Sequence, residues 1–578
     1  MQPRSFNVLD SSAGKYIRTR PVNIQPGSKE SFGIARNWLS DCLHGQDHAS
    51  CRRASSSFMP TRLIEIVQRP VDSEIEGEWR IRLSYPDQTA PYAALSYCWG
   101  GDQPLKATRD SEHGWLQDIN WEQVPQTLRD AVITSSELNI RFLWIDSLCI
   151  LQDDDHDKAH EISQMPQIYG HSTVTIAAAR SDTARQGFLH DRDLETDITK
   201  FPNLIFEVPF RCPTGDLASV TLLRPFDRRE PTITRAWTLQ EGLLASRVLE
   251  IGTRNTSWYC QETWDLKGNY TDGWKVRPQF RDGGTYCLDH DHEVFQAPFK
   301  NQSNWQYQAR AVGTRSALEL WLKTVHAYTS RALTFPSDKL LAISAIAEKY
   351  GTVFNDDYLA GLWRFSLPIS LVWSVNPLNG LLLPRPKEYR APSWSWAAVE
   401  GPVYLDLRKK AYQGVMEVEP RDVLSQVIAC EVKLSNKGFQ YGTISSGTLT
   451  MKGFVRDALW SKDNNLLVKR SRTPKEEGSE GYCAENWLEW KADAADDAVD
   501  AFNTGKAKTV SVLLLSVIGE DRGSRNQVGL VLRKLDDSRF RRVGMFSTGQ
   551  TKIRGQPRFD DDAWSLFADC QEEVVTII

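Results

Sequence analysis

The 578-residue sequence lacks several features that would place it in a common class at once. Its 10 cysteines include no C-x-x-C pair, which argues against a disulfide framework and favours a reducing compartment. The formal net charge is only -5, so composition gives no reason to expect nucleic acid or an anionic membrane as a partner. The first residues contain no apolar segment of the kind that directs secretion, so we expect a cytoplasmic protein.

Long apolar runs and the common catalytic motifs are absent too. The best candidate for a membrane span, LAGLWRFSLPISLVWSV from Leu359, is short and contains Arg364 and Pro368, so we expect a buried helix and no span. No P-loop, G-x-G-x-x-G or G-x-S-x-G motif is present, which leaves kinase, dehydrogenase and serine-hydrolase functions without support. The chain does contain 20 tryptophans, which indicates either a large aromatic core or an aromatic-lined pocket.

Length and periodicity divide the chain into four segments. Residues 1–60 are polar, with one short helix predicted in SFGIARNWLSDCL. Residues 61–265 alternate predicted strands and helices, which is typical of an α/β layer with a mainly parallel sheet. Residues 266–390 are predicted to be mainly helical. Residues 391–578 contain spaced apolar runs that predict a β-rich module, either a sandwich or a barrel-like sheet.

Four local patterns carry further expectations. RFLWIDSLCI is an almost continuous apolar run, which predicts a central parallel strand. DKAHEISQMPQIYG is helical in character, and Pro166 is expected to kink or restart that helix. The charged stretches LDHDHE, from Leu288, and KRSRTPKEEGSEG are expected to be solvated loops.

Polar and aromatic side chains are expected to meet at the carboxyl ends of the predicted parallel strands, where open α/β sheets bind ligands. Glycines there let a backbone approach a ligand closely, and tryptophans offer a flat stacking surface. A nearby carboxylate could bind sugar hydroxyls or stabilise positive charge. The candidate residues are Tyr97, Trp99, Gly100 and Gly101 after YAALSY, Asp146 in LWIDSLCI, and Arg235, Trp237 and Glu241 in RAWTLQE.

A purely structural interpretation of the same residues remains open. In it Trp99 and Trp144 belong to the core, Asp146 caps a strand end, and Glu241 pairs with Arg235, because structural ion pairs resemble functional ones in sequence.

A second candidate site lies in the polar N-terminal segment. WLSDCLHGQDHASC places Cys42, His44, His48 and Cys51 within ten residues. Thiolates and imidazoles bind zinc tetrahedrally, and Cys42, His48 and Cys51, in the pattern C-x5-H-x2-C, are the candidate ligands of a structural zinc. Since this spacing is not a standard finger signature, chance clustering is the alternative.

Five blocks of the chain together resemble the fungal heterokaryon-incompatibility (HET) domain. They occur in the family's order across about residues 90–245 and are YAALSYCWGG, VPQTLRDAV, LWIDSLCILQDD, EISQMPQIY and RAWTLQE. Later segments, among them YTSRALTFPSDKLLAISAIA, YLAGLWR, APSWSWAAVEGPV and RRVGMF, look like the long-chain members of that family. Leu151, where the family more often has Asn, and Pro166 depart from the pattern.

The resemblance implies an effector of non-self recognition and regulated cell death in filamentous fungi. HET domains are in turn similar to TIR domains, whose fold is flavodoxin-like and several of which cleave NAD. RAWTLQE is similar to the TIR segment that ends in the catalytic glutamate, which implies Glu241 as the catalytic residue and Trp237 as the aromatic residue before it.

The implied activity is that of an NAD glycohydrolase, with a small nucleotide as substrate and a protein partner or homo-oligomer in allorecognition. Two alternatives stay open: a non-catalytic signalling module that docks a partner, and an enzyme of specialised metabolism that uses the same cleft.

Overall fold

The computed structural model of the protein divides into two compact units, Met1–Ala311 and Val312–Ile578. The residues it describes are 23–51, 58–68, 79–192, 205–223, 230–260, 305–377, 380–404, 423–436, 439–460, 465–468, 486–497, 509–520, 524–547, 567 and 570–578. The predicted loops LDHDHE and KRSRTPKEEGSEG lie outside these residues.

The first unit is built on a seven-stranded sheet and a separate antiparallel hairpin. Its strands are β1 (Leu63–Gln68), β2 (Arg80–Ser84), β3 (Tyr92–Ser96), β4 (Phe142–Trp144), β5 (Val174–Ala177), β6 (Ile205–Arg211), β7 (Leu217–Leu223), β8 (Arg247–Ile251) and β9 (Thr256–Cys260). The sheet order is β2-β1-β4-β3-β5-β8-β9, and β6 pairs with β7. The strands β4, β3, β5 and β8 are parallel, whereas β1 and β9 join them antiparallel.

The strand order reverses within the parallel part of this sheet. The four parallel strands lie side by side in the order β4-β3-β5-β8. Numbered by their position along the chain, they are the second, first, third and fourth of the four. The chain therefore leaves β3 toward one side and returns past it to β5 on the other side. Ligands bind at such reversals, outside the carboxyl ends of the strands. The predicted α/β layer is confirmed in the form of a mixed sheet with parallel central strands.

Helices of the first unit pack in pairs, α1 with α3 and α5 with α6. They are α1 (Lys29–His44), α2 (Arg109–Trp115), α3 (Gln126–Glu137), α4 (Asp146–Cys149), α5 (Asp155–His171) and α6 (Ala236–Leu244), with 3-10 turns at Gln46–Cys51, Trp121–Gln123 and Pro231–Thr234. The predicted N-terminal helix is confirmed by α1, where the Ser28 hydroxyl caps the first turn and Phe32, Ala35 and Leu39 form a buried stripe.

Two local predictions in this unit are confirmed only in part. The central parallel strand predicted in RFLWIDSLCI is β4, which pairs in parallel with β3 but is only three residues long, because the Asp146 carboxylate accepts a hydrogen bond from the Ser147 amide at 2.6 Å and a helical turn begins there. The helix α5 is not restarted at Pro166 but continues through it. Buried Met165 and Ile168 on either side hold that part of the helix on the core.

The second unit begins with helices and short strand pairs. The helix α7 (Trp305–Thr329) starts before the boundary and has most of its length in this unit. It is followed by α8 (Ser344–Phe354), β10 (Tyr358–Leu359), β11 (Leu362–Trp363), β12 (Ser374–Val375) and β13 (Val403–Tyr404), with 3-10 turns at Pro336–Lys339, Leu341–Ile343, Arg364–Ser366, Ile369–Leu371 and Trp396–Ala398. The helix predicted from Leu359 is wrong, since Ala360 and Gly361 adopt positive φ angles of 51° and 99° and turn β10 back onto β11.

The rest of the second unit is a barrel-like sheet that closes on itself. Its strands are β14 (Gln426–Leu434), β15 (Ile444–Trp460), β16 (Asn465–Val468), β17 (Asn486–Ala492), β18 (Thr509–Glu520), β19 (Ser524–Lys534), β20 (Arg539–Ser547) and β21 (Glu572–Ile577). The order is β14-β15-β16-β17-β20-β19-β18, and β18 pairs again with β15. The predicted β-rich module is therefore confirmed, in its barrel-like form.

Tryptophan contributes heavily to both cores. Among the described residues, the fully buried tryptophans are Trp144, Trp258, Trp321, Trp363, Trp373, Trp394 and Trp396. The predicted aromatic core is thus confirmed for these side chains. No helix within the described part of the chain is long and apolar enough to cross a membrane.

Candidate functional site

Three connections bring the predicted residues to the carboxyl edge of the parallel strands. Tyr97 and Trp99 follow β3 directly, Asp146 follows β4, and Arg235 and Glu241 lie at the start and in the body of α6. The helix α6 contacts β3 and β5, the two strands at which the strand order reverses. We call Tyr97, Trp99, Asp146, Arg235 and Glu241 the edge site.

The Asp146 carboxyl group, after β4, is hydrogen-bonded to Trp99, after β3. The Trp99 indole donates to its Oδ2 at 2.8 Å, and the backbone N–H of Ser147 donates to its Oδ1. Burial raises the pKa of Asp146, while the Arg235 guanidinium and the Trp99 hydrogen bond oppose that rise. Asp146 and Trp99 both remain partly exposed. The Asp146 carboxyl group and the Trp99 indole therefore lie together at this edge.

Tyr97 supports this arrangement from inside the protein. Its hydroxyl donates to Ser147 Oγ at 2.9 Å, and its side chain is buried. Burial first, and then the negative charge of Asp146, raise the pKa of Tyr97 well above its usual value. The phenol consequently stays protonated and acts as a hydrogen-bond donor.

Glu241 and Arg235 approach the edge of β3 from α6. The Ser96 hydroxyl donates to Glu241 Oε2 at 2.5 Å, and Glu241 is only 6% exposed. Arg235 Nη1 donates to the carbonyl oxygen of Tyr97 at 2.6 Å. The charges of Glu241, Asp146 and Arg235 all affect the pKa of buried Tyr169, which is raised mainly by burial. Glu241 and Arg235 therefore contact adjacent residues, Ser96 and Tyr97, at the end of β3.

The remaining predicted residues have separate surroundings. Gly100 has φ +69°, and a Cβ there would lie 2.6 Å from the Thr183 Cα, so this glycine is required by packing. Gly101 has φ +123° and faces open space, with no atom within 4 Å of a Cβ position. Trp237 is half-buried and packs against the hydrophobic core. An added side chain would therefore be blocked at Gly100 but would meet no neighbouring atom at Gly101.

Sequence reasoning missed Ser96 and Ser147, which hold the carboxylate of Glu241 and the phenol of Tyr97. A signal for Ser96 was present, because it is the one hydroxyl residue in the otherwise apolar run AALS that ends β3. Ser147 gave no such signal, because its contact depends on β4 lying beside β3.

The N-terminal candidates for metal binding also come together, with one addition. Cys42, on α1, and His48 and Cys51, in the following 3-10 turn, meet Cys260 at the end of β9, and all four are buried. We call these four residues the thiol–imidazole cluster. One ligand atom from each lies within 4.8 Å of every other. His44, the other nearby histidine, is exposed on α1 and does not belong to the cluster.

Fold and edge site define an α/β domain that gathers polar side chains outside the carboxyl ends of its parallel strands. Residues 92–241 match the family described as Heterokaryon incompatibility protein (HET), so the chain carries a HET domain, which supports a role related to heterokaryon incompatibility. The match runs from the first residue of β3 to Glu241 and excludes the thiol–imidazole cluster. No match to the chain was found among curated proteins or solved structures.

Proposed function

We propose that the protein is an effector of non-self recognition and regulated cell death that acts in the cytoplasm of a filamentous fungus. In this proposal the edge site binds NAD and hydrolyses its nicotinamide–ribose bond. The observation that carries it is the hydrogen bond that places Glu241 at the end of β3, next to the contact of Arg235 with Tyr97, where the strand order reverses. The strand order second-first-third-fourth is that of flavodoxin-like sheets, which supports the similarity to TIR domains.

The chemistry needs few groups. Water replaces nicotinamide at the anomeric carbon of the ribose, so that the C–N bond breaks, a C–O bond forms, and ADP-ribose, nicotinamide and a proton are released. Nicotinamide leaves as a neutral pyridine from a cation, so no strong general acid is required. The ribosyl centre becomes oxocarbenium-like, as in glycoside hydrolysis, and a carboxylate at the ribose stabilises it.

Four of the five edge-site residues have a role in this scheme. The Glu241 carboxylate binds the ribose hydroxyls in place of the Ser96 hydroxyl, which holds Glu241 in the structure. The partly exposed Trp99 ring stacks on nicotinamide, and Asp146 holds that ring through its indole N–H. Arg235 is half-buried and charged, which suits it to the pyrophosphate. Since the Ser96–Glu241 bond must open first, activity should depend on an activating step such as oligomerisation.

The test is liquid chromatography of NAD incubated with the full chain, both dilute and concentrated or crosslinked. We expect nicotinamide and ADP-ribose in equal amounts, with a greater yield per chain from the concentrated or crosslinked protein. Glu241→Gln should abolish the products, whereas the control Glu250→Gln, on β8 outside the edge site, should keep them. Intact NAD under every condition, or full activity of a folded Glu241→Gln protein, would contradict the proposal.

The burial of Glu241 favours a second candidate, a non-catalytic signalling module. A carboxylate that is 6% exposed and bonded to Ser96 can serve simply to fix α6 on β3. In that case Glu241→Gln lowers stability and partner binding, and NAD is neither bound nor consumed. Calorimetric titration of the protein with NAD separates the two candidates. Only the first binds NAD, so only the first is expected to give a heat of binding.

A further inference from the structure

We propose that the thiol–imidazole cluster binds one Zn²⁺ ion, with Cys260 as the fourth ligand. Nδ1 of His48 lies 3.6 Å from Cys51 Sγ and 3.5 Å from Cys260 Sγ. In a tetrahedral site, Zn–S bonds of about 2.3 Å and Zn–N bonds of about 2.0–2.1 Å place nitrogen and sulfur about 3.6 Å apart. The separations from His48 to two of the thiols are therefore those of adjacent corners of a zinc tetrahedron.

The backbone turns these ligands toward one another. Cys42 lies on the buried face of α1, two residues before the end of that helix. His48 interrupts the following 3-10 turn with φ -113° and ψ 29°, and its side chain is 3% exposed. Cys260 is the last residue of β9 and is far from the other three residues in sequence. Buried polar groups require partners, and a shared metal ion would satisfy four of them at once.

Charge supports a metal with three thiolates. Three thiolates, a neutral imidazole and Zn²⁺ carry a net charge of -1, which is costly to bury alone. Arg247 supplies the compensating charge, since its side chain is buried and its Nε lies 3.1 Å from Cys42 Sγ. The same guanidinium donates to the carbonyl oxygen of Cys51 at 2.7 Å. Partners of this kind orient metal ligands in known sites.

The ligand set selects the metal and its role. Three thiolates and one imidazole form a complete tetrahedral set, which is typical of structural zinc and leaves no open position for catalysis. Binding replaces up to three thiol protons with the ion and involves no oxidation. The ion would join the segment that precedes the HET domain to β9, which lies beyond the end of the matched residues.

The experiment measures metal in the full chain purified under reducing conditions without chelator. Elemental analysis should find about one zinc per chain, and X-ray absorption should find three sulfur neighbours and one nitrogen neighbour at the distances of a tetrahedral site. Cys260→Ser should lose most of the zinc. Cys149→Ser, which alters another fully buried thiol of the same unit, should keep it.

Any one of three outcomes would overturn the proposal. These are a reduced protein that holds no metal and takes up none when Zn²⁺ is added, a disulfide between two of the three cysteines in the purified chain, and iron in place of zinc. If Cys260→Ser does not fold, the count of sulfur neighbours in the wild-type protein decides whether Cys260 is a ligand. A folded Cys260→Ser protein with unchanged zinc affinity removes Cys260 from the site.

Discussion

Lys339 is a cation buried in the second unit, where its Nζ donates to the carbonyl oxygen of Val399 at 2.5 Å and lies 3.4 Å from Glu400. Burial lowers the pKa of Lys339 to about 8, although the charge of Glu400 acts in the opposite direction. Between this pKa and the ordinary value of 10.5, the folded protein has released a proton that the unfolded chain still holds. Stability must therefore rise with pH across that interval.

The first prediction follows from this shift. From about pH 7 to about pH 10, the free energy of unfolding of the wild-type protein should increase by about 2 to 3 kcal/mol relative to Lys339→Met. Urea denaturation followed by tryptophan fluorescence measures the difference. Lys387→Met, which removes an exposed lysine of the same unit, should follow the wild-type profile. Parallel profiles for wild type and Lys339→Met would show that Lys339 does not titrate in this interval.

Arg247 is a buried cation beside the proposed zinc site. Arg247→Met keeps much of the buried side chain's volume but removes the donors to Cys42 Sγ and the Cys51 carbonyl. We expect zinc affinity to fall by about 10-fold to 100-fold, as for other groups that orient metal ligands. Competition with a chromogenic chelator measures this affinity. Equal affinity in the two proteins would exclude a role for Arg247 at the metal.

Elements of the first unit are held together by close backbone approach as well as by side chains. At Gly100, in the connection after β3, the backbone touches the segment that carries Thr183, and φ is +69°. Gly100→Ala should lower the free energy of unfolding by about 1 to 3 kcal/mol, since a Cβ there strains the backbone and forces Thr183 away.

Thermal denaturation of the variant tests this prediction. The matched control is Gly242→Ala in α6, where a Cβ meets no atom within 4 Å. Alanine in a helix interior should leave that protein as stable as wild type or slightly more stable. If Gly100→Ala were equally harmless, the approach to Thr183 would not be a determinant of the fold.

The helix α5 contains Pro166 between buried Met165 and Ile168. A proline inside a helix removes one backbone hydrogen bond and crowds the preceding turn, at a cost of about 3 kcal/mol relative to alanine. Pro166→Ala should therefore raise stability by up to that amount, and the midpoint of urea denaturation will show it. Pro125→Ala, at the N-cap of α3, should change stability much less, because no helical hydrogen bond is missing there. A destabilised Pro166→Ala protein would mean that packing of the ring outweighs the lost bond.

At the scale of the whole molecule, the two units have separate structural requirements. The second unit contains the fully buried Arg542, which donates to Asp493 at 2.9 Å and lies 3.4 Å above the Trp373 ring. The first unit contains the thiol–imidazole cluster, which brings residues of α1 and β9 together. Since a ligand stabilises the part of the chain that unfolds together with its site, we expect metal removal to destabilise the first unit and, if the units unfold separately, to leave the second unchanged.

Differential scanning calorimetry tests this selectivity. We expect two transitions, of which a zinc chelator lowers one and leaves the other unchanged. Gly361→Ala identifies the transition of the second unit, because a Cβ at this residue, whose φ is +99°, would lie 2.5 Å from the Trp396 ring. A chelator that lowered the transition sensitive to Gly361→Ala, or lowered neither, would contradict the assignment of the metal to the first unit.

Local patterns in the sequence were sufficient for most of the secondary structure. The spaced apolar runs of residues 391–578 predicted the β-rich module, and the helical pattern of SFGIARNWLSDCL predicted α1, since the periods of strand and helix can be read within a few residues. The failures have local causes as well. The Asp146 carboxylate ended β4 early, and the left-handed turn at Ala360 and Gly361 broke up a run that had been predicted as helix.

By itself, the sequence determined which residues carry the candidate chemistry and that Cys42, His48 and Cys51 lie near one another, because they are close along the chain. Only the tertiary structure decided that Cys260 joins them and that Ser96 holds Glu241, 145 residues away. The reason is physical. Helix and strand periods depend on neighbouring residues, whereas contacts between distant residues depend on which strands pair, and the packing of the whole core selects those pairs.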